Sequence, residues 1–251
     1  MDGYIICGTP RTGSTLLCDL LASTLVAGDP DSFFMTDVDP VWADRWGLPD
    51  RRDTGDSDYA ASLLKAAIAA GRGQTRIFGL RLMRDHLDRL SALIETVFPG
   101  RPSDKERLQA AFGSILYIHL FREDKLAQAV SLVKAEQTGL WHIAPDGTEI
   151  ERLAPPAAPD YDFGRIAARL SLLEQQDAAW LAWFDEQGIA PLRIGYESLS
   201  ANPADAVGRI CRALGVRVSA PERLSPGVAR LADEISREWM RRYRRDAGRT
   251  G

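Results

Sequence analysis

The chain has 251 residues, 45% of them apolar and 26% charged, which suits one large domain able to bury its own core without a disulfide or metal staple. Its 31 basic and 35 acidic residues leave a formal net charge of −4, arguing against a nucleic-acid wrapper or a polybasic membrane binder. No apolar run approaches the roughly 18 residues of a membrane span, no leader-like segment precedes the first turn, and Cys7, Cys18 and Cys211 show no ligand-type pairing; the expectation is a cytoplasmic, reduced chain without structural zinc.

Short β-type runs alternate with longer helical patterns, as in an α/β fold with a mostly parallel sheet. In chain order, a strand over Tyr4–Gly8 leads to a helix over Ser14–Val26. An irregular stretch, Asp29–Gly55, is rich in Asp, Pro, Trp and Arg and is expected to border an acceptor site. A helix over Asp58–Ala70, a strand over Arg76–Leu82 and a helix over Asp85–Val97 follow, then a polar break at Arg101–Lys105. Next come a strand over Ser114–Phe121 and a helix over Lys125–Gln137. The stretch Ile143–Asp160 holds Pro155, Pro156 and Pro159 and reads as a surface loop or lid. In Phe163–Glu186, Ile166, Leu170, Leu173, Trp180 and Phe184 form one helical stripe. A strand over Pro191–Tyr196 precedes a helix opened by Pro203 and closed by Gly215. The arginines between Arg237 and Arg245 read as a solvated helix face. No repeat divides the chain, so a single domain over 1–251 is expected.

The run Gly8-Thr9-Pro10-Arg11-Thr12-Gly13-Ser14-Thr15 has the strand, Gly-rich turn and helix order of a phosphate-binding loop. Its glycines permit tight backbone angles, and free amides at the following helix N-terminus face an anion. Ser14 stands where a nucleotide-hydrolysing loop has lysine. Arg11 supplies the cation instead, as a planar fork of donors suited to phosphoryl or sulfuryl oxygens. No strand ends in an acidic residue of the kind that holds magnesium beside such a loop. Arg122 leaves the end of the third strand, where ligands of open α/β sheets bind, and Ser131 follows nine residues later on the next helix. A cation and a hydroxyl so placed can grip a second phosphate.

Together these pieces resemble the PAPS-dependent sulfotransferases, with a fold like that of P-loop NTPases. Arg11-Thr12-Gly13-Ser14-Thr15 is similar to the loop that takes the 5′-phosphosulfate of PAPS, and Arg122 with Ser131 to the pair that takes its 3′-phosphate; the resemblance adds Arg230 to the latter. Tyr196-Glu197-Ser198-Leu199 with Leu214-Gly215 is similar to a further conserved region of that superfamily. Val26–Pro30 with Phe33-Phe34, Leu80-Arg81-Leu82-Met83, Gln137-Thr138 with Trp141, and Arg230–Arg244 resemble the bacterial glycan-directed branch. The implied activity is metal-independent, in-line transfer of a sulfuryl group from PAPS to a hydroxyl of a sugar or glycolipid, with PAP as product.

The resemblance assigns Arg11 and Arg81 to the transferring group and Pro10, Asp29, Pro30, Ser32, Phe33 and Phe34 to the acceptor side. It also implies a general base, and here this chain departs from the branch. A disaccharide-directed member has its base glutamate directly before Phe-Phe, whereas this chain has Ser32. Asp31 is the first candidate in its stead, followed by Asp29, Asp37, His86 and His142. A P-loop kinase of a small metabolite and a catalytically silent nucleotide-binding protein remain as alternatives. The sequence leaves the oligomeric state open, a homodimer included.

Overall fold

The computed structural model describes residues 1–35, 38, 40–218 and 233–249. The first half runs β1 (Gly3–Gly8), α1 (Ser14–Ser23), α2 (Pro40–Trp46), α3 (Asp56–Arg72), β2 (Phe78–Met83), α4 (Arg84–Val97), α5 (Asp104–Phe112) and β3 (Ile115–Phe121). The second half runs α6 (Lys125–Thr138), β4 (Leu140–Ile143), β5 (Glu149–Arg152), α7 (Phe163–Glu186), β6 (Leu192–Gly195), α8 (Tyr196–Ala201), α9 (Pro203–Leu214) and α10 (Glu234–Ala247).

The central sheet has the order β2-β1-β3-β6, with every neighbouring pair parallel. This is the α/β architecture expected from the sequence, a P-loop-like parallel sheet flanked by helices. From β1 the chain moves first to one side, to β2, and then to the other, to β3. The direction of winding therefore switches at β1, and the crevice above its carboxyl end is where such sheets receive ligands. The phosphate-loop motif and Arg122 leave the carboxyl ends of the two strands that bound this crevice.

Every residue of β1 is buried, and its side chains alternate between two cores. Ile5 and Cys7 join Leu80, Leu82, Tyr117 and the aromatic side chains of α7 on one face. Tyr4 and Ile6 join Ile118, Leu120, Ile194 and the apolar stripe of α9 on the other. A third cluster joins α6, α7 and α10 through Val133, Leu173 and Trp239. The C-terminal arginines lie on α10, where Arg237 and Arg241 pair with Glu234 and Arg242 lies over the Tyr161 ring.

Three stretches expected to be irregular contain regular structure. Residues Pro40–Trp46 form α2, where Trp42 and Trp46 pack on Phe33 at ring distances of 5.6 and 5.9 Å. The polar break at Arg101–Lys105 holds the start of α5, whose Ser103 side chain accepts from the Glu106 amide as an N-cap. The lid-like stretch begins as an antiparallel hairpin of β4 and β5, closed over Asp146 and Gly147.

Trp180 is completely buried and donates its indole N–H to the Gly8 carbonyl at 2.8 Å, which pins α7 beneath the loop that leaves β1. Trp180→Ala is expected to cost about 3–5 kcal/mol from the lost packing. Trp180→Phe keeps a ring but strands a buried carbonyl, at a cost of about 1–3 kcal/mol. Urea unfolding of the two variants checks both values.

Candidate active site

The turn after β1 is built by two residues with left-handed backbone. Gly13 caps α1 at φ 81°, and a Cβ there would come within 2.6 Å of the Tyr196 ring. Arg11 adopts φ 65°, a conformation that costs a side-chain-bearing residue about 1–3 kcal/mol. The turn is braced from within. Thr12 donates to the Thr9 carbonyl at 2.8 Å, and the buried Gln128 amide donates to Thr9 Oγ1 at 2.8 Å and to the Pro10 carbonyl at 2.6 Å. The Thr12 hydroxyl, expected to meet a ligand, is thus spent on the loop's own fold. The first turn of α1 carries no acidic residue, so its partial positive charge is not neutralised by its own sequence.

A cavity of about 380 Å³ opens above this turn, with Pro10, Arg11, Gly13, Ser14, Thr15, Ser32, Arg81, Arg122 and Tyr196 among its lining residues. Arg11 and Arg122 meet across the crevice: an Arg122 N–H donates to the Arg11 carbonyl at 3.4 Å, and its guanidinium stacks 4.5 Å from the Tyr196 ring. Arg11 in turn donates to Ser131 Oγ at 3.1 Å and to the Trp141 carbonyl at 2.7 Å. The two motifs, over a hundred positions apart in the sequence, therefore form one assembly. Burial, with the nearby positive charge of Arg122 adding to it, lowers the Arg11 pKa to about 10 against partial opposition from Glu151 and Tyr196. The guanidinium stays charged at neutral pH, in surroundings that favour an anion.

A second polar chain crosses the cavity from β2. Arg81 donates to Ser32 Oγ at 2.7 Å and to Thr15 Oγ1 at 2.8 Å, and pairs with Asp31 at 3.0 Å. Asp31 Oδ1 also accepts the Ser32 amide at 2.7 Å, and Asp31 extends the sheet edge through a bridge to Leu80. Asp31, the first-choice base from the sequence, is thus turned toward Arg81 and does not join the lining of the cavity. From the hairpin, His142 Nε2 stands 3.1 Å from Thr15 Oγ1 and 3.3 Å from a Glu151 carboxylate oxygen.

Of the acceptor-side residues expected from the sequence, Pro10 and Ser32 line the cavity, whereas Asp29, Pro30, Phe33 and Phe34 do not. Phe33 and Phe34 are buried core residues, Phe33 against the α2 tryptophans and Phe34 against Phe112 at 6.1 Å. Their apolar rings remove more water-exposed area in the core than at the cavity rim. Ser131 opens instead on a second cavity of about 280 Å³, shared with Lys134, Thr138 and Arg152. Arg230 and Asp37 lie outside the described residues. Glu151, Leu153, Met35 and Met83 line the main cavity without having been expected there. Glu151 was traceable: Asp146-Gly147 between the Trp141–Ile143 and Glu149–Glu151 runs is a hairpin signal, and it places Glu151 opposite His142.

The profile of the Stf0 sulphotransferase family matches residues 3–246. The chain is 32% identical to the trehalose 2-sulfotransferase of Mycolicibacterium smegmatis, an alignment covering 99% of this chain and 96% of that protein. It is 31% identical, with the same coverage of each, to the trehalose 2-sulfotransferase of Mycobacterium tuberculosis. The chain belongs to the Stf0 sulphotransferase family. Among the described residues, no helix is long and apolar enough to cross a membrane, and no group of three or more His, Cys, Asp or Glu side chains could hold a metal ion.

Burial first, then the positive charges of Arg11 and Arg81, push the His142 pKa down from about 6.5 to about 4. The unfolded chain therefore binds this proton more readily than the folded one. The stability owed to the neutral imidazole is complete above pH 6.5 and is lost as the pH falls toward 4. Replacing His142 by Asn is expected to flatten the decline of stability between pH 6.5 and 4. Urea midpoints of the two proteins across that window check this.

Proposed function

We propose that this chain moves a sulfuryl group from PAPS to a hydroxyl of a sugar or a sugar-bearing lipid. The observation that carries the reading is the convergence of Arg11, Arg81 and Arg122 on one cavity at the switch point of the sheet, where Glu151 is the one carboxylate among the described lining residues. A chain with net charge −4 concentrates positive charge here. Guanidinium groups lining one cavity repel one another, and an anion with several charges relieves that repulsion. A phosphosulfate with a second phosphate has that character.

The lining arginines and the start of α1 support a donor with two anionic ends, as PAPS has. Arg11 and the amides at the start of α1, with the Ser14 and Thr15 hydroxyls, would hold the 5′-phosphosulfate; Arg122 would hold the 3′-phosphate, whereas Ser131 faces the neighbouring cavity and meets the site through its hydrogen bond with Arg11. When bound, the donor supplies a sulfuryl group already joined to a good leaving phosphate. The chain's own part is electrostatic. Arg11 and the α1 amides are fixed before the reaction, so charge developing on the leaving oxygen meets oriented donors rather than reorganising water. Arg81, held by Asp31 and Ser32, donates from Nη1 to Thr15 at the start of α1 and so brings its charge to the same region. The reading asks no divalent ion to supply that charge. Pro10, Ser32 and Trp141 border the space left for the acceptor. The trehalose-directed relatives support a sugar hydroxyl as the acceptor class.

Calorimetry without magnesium is expected to show PAP binding well above that of 5′-AMP. Arg122→Ala is expected to weaken PAP by about tenfold or more while leaving 5′-AMP little changed. Equal affinities in the unaltered protein would overturn the 3′-phosphate assignment. Arg11→Ala is expected to lower labelled-sulfate transfer from PAPS to trehalose by about 10²-fold or more, checked by product formation at saturating donor.

A further inference from the structure

His142 and Glu151 are register partners in the β4–β5 hairpin, and both line the cavity shared by Arg11, Arg81 and Arg122. The strand register slips on either side of His142. Trp141 and His142, consecutive residues, thereby both line the cavity, which regular strand alternation would forbid. His142 Nε2 meets two groups of opposite use. Thr15 Oγ1, 3.1 Å away, belongs to the first turn of α1, above which the anion site opens. The Glu151 carboxylate, on β5, lies 3.3 Å from the same nitrogen and accepts a hydrogen bond from it only when Nε2 carries a proton.

We propose that His142, with its neutral-ring proton on Nδ1 and Nε2 bare, is the general base that takes the proton of the acceptor hydroxyl, and that Glu151 acts through it by accepting the Nε2–H of the imidazolium. The proposal rests on the sulfuryl-transfer reading above and fills the role that Ser32 cannot perform. In the step, an acceptor hydroxyl takes the place of Thr15 at Nε2. Its O–H bond breaks as its oxygen bonds to sulfur, and the proton passes to Nε2. The bond from sulfur to the 5′-phosphate oxygen breaks, and its electron pair leaves on that phosphate. The new imidazolium N–H then lies against Glu151, and loss of the proton to water restores the base.

The charged groups facing His142 are Arg11 from the turn after β1, Arg81 from β2 and Glu151 from β5. The two arginines oppose protonation and Glu151 favours it. Burial and the arginines keep the ring neutral in the free chain, which is the form a base requires. An anion drawn onto Arg11 and Arg81 screens both charges, so the imidazole becomes more basic when the donor site fills. Base strength is thereby tied to the presence of donor. Asp31 is instead the ion-pair partner of Arg81 and does not line the cavity. His86, on α4, lines the same cavity and serves as the comparison.

The test is an NMR titration of the His142 ring, assigned by its loss in His142→Asn, with and without saturating PAP. The His142 midpoint is expected to rise by about one pH unit or more on PAP binding, and that of His86 by less. A midpoint that does not move while PAP binds overturns the proposal; absence of PAP binding to the unaltered protein overturns the donor reading instead. In parallel, PAP release from PAPS is followed with trehalose and with water as acceptor. His142→Asn is expected to lower kcat by about 10²-fold or more with the affinity for PAP nearly unchanged. Glu151→Gln is expected to shift the acid limb of the pH–rate profile to lower pH, since it removes the charge that favours the imidazolium. Undiminished turnover in His142→Asn, or an equal loss in Asp31→Asn with the His142 titration unmoved, also overturns the proposal.

Discussion

Two guanidinium groups at the head of the sheet cannot approach one another without something to offset their repulsion. In this chain Arg11 and Arg122 do so because each is gripped by neutral partners: the Arg11 carbonyl and Tyr196 ring for Arg122, and the Trp141 carbonyl and Ser131 hydroxyl for Arg11. None of these partners carries a negative charge. Glu151 offsets part of the charge at Arg11, and burial together with the charge of Arg122 leaves surroundings that favour an anion. Much of the surrounding architecture serves this arrangement, from the Gln128 brace under Thr9 and Pro10 to the indole of Trp180 on the Gly8 carbonyl.

The sheet makes this juxtaposition possible at little cost in chain length. β1 and β3 are adjacent and parallel, so residues leaving their carboxyl ends emerge side by side although over a hundred positions separate them in the chain. Two helices then support the site: α1 presents its N-terminus, and α6 braces the loop through Gln128 and Arg11 through Ser131. The hairpin that follows α6 closes the third side with Trp141, His142 and Glu151. A family relationship spanning residues 3–246 is consistent with a site that draws on nearly every part of the chain.

The sequence was legible where a physical rule acts over short range. Strands β1, β2, β3 and β6, the helix α7 and the left-handed turn of the loop all follow from apolar runs, periodicity and glycine placement, within a few residues at their ends. Local signals were also missed. Ser103-Asp104-Lys105-Glu106 is a capping box that announces α5, yet it reads as a polar break when charge alone is weighed. Asp146-Gly147 announces a hairpin, yet the nearby prolines suggest a loop. What no local rule could supply is direction. Phe33 and Phe34 lie beside the site in sequence but turn into the core, and Asp31 turns to Arg81. Those outcomes depend on α2, a short way along the chain, and on Phe112 and the edge of β2, both remote in sequence from the residues they orient.

The left-handed backbone at Arg11 has a bearing on how this protein can change over evolutionary time. A residue with a side chain is held there in a conformation that glycine would adopt freely, and it is held by the bonds that its guanidinium makes at a distance. A glycine at that position would relax the turn and surrender the cation. Backbone ease and a placed positive charge thus make opposite demands on this single position.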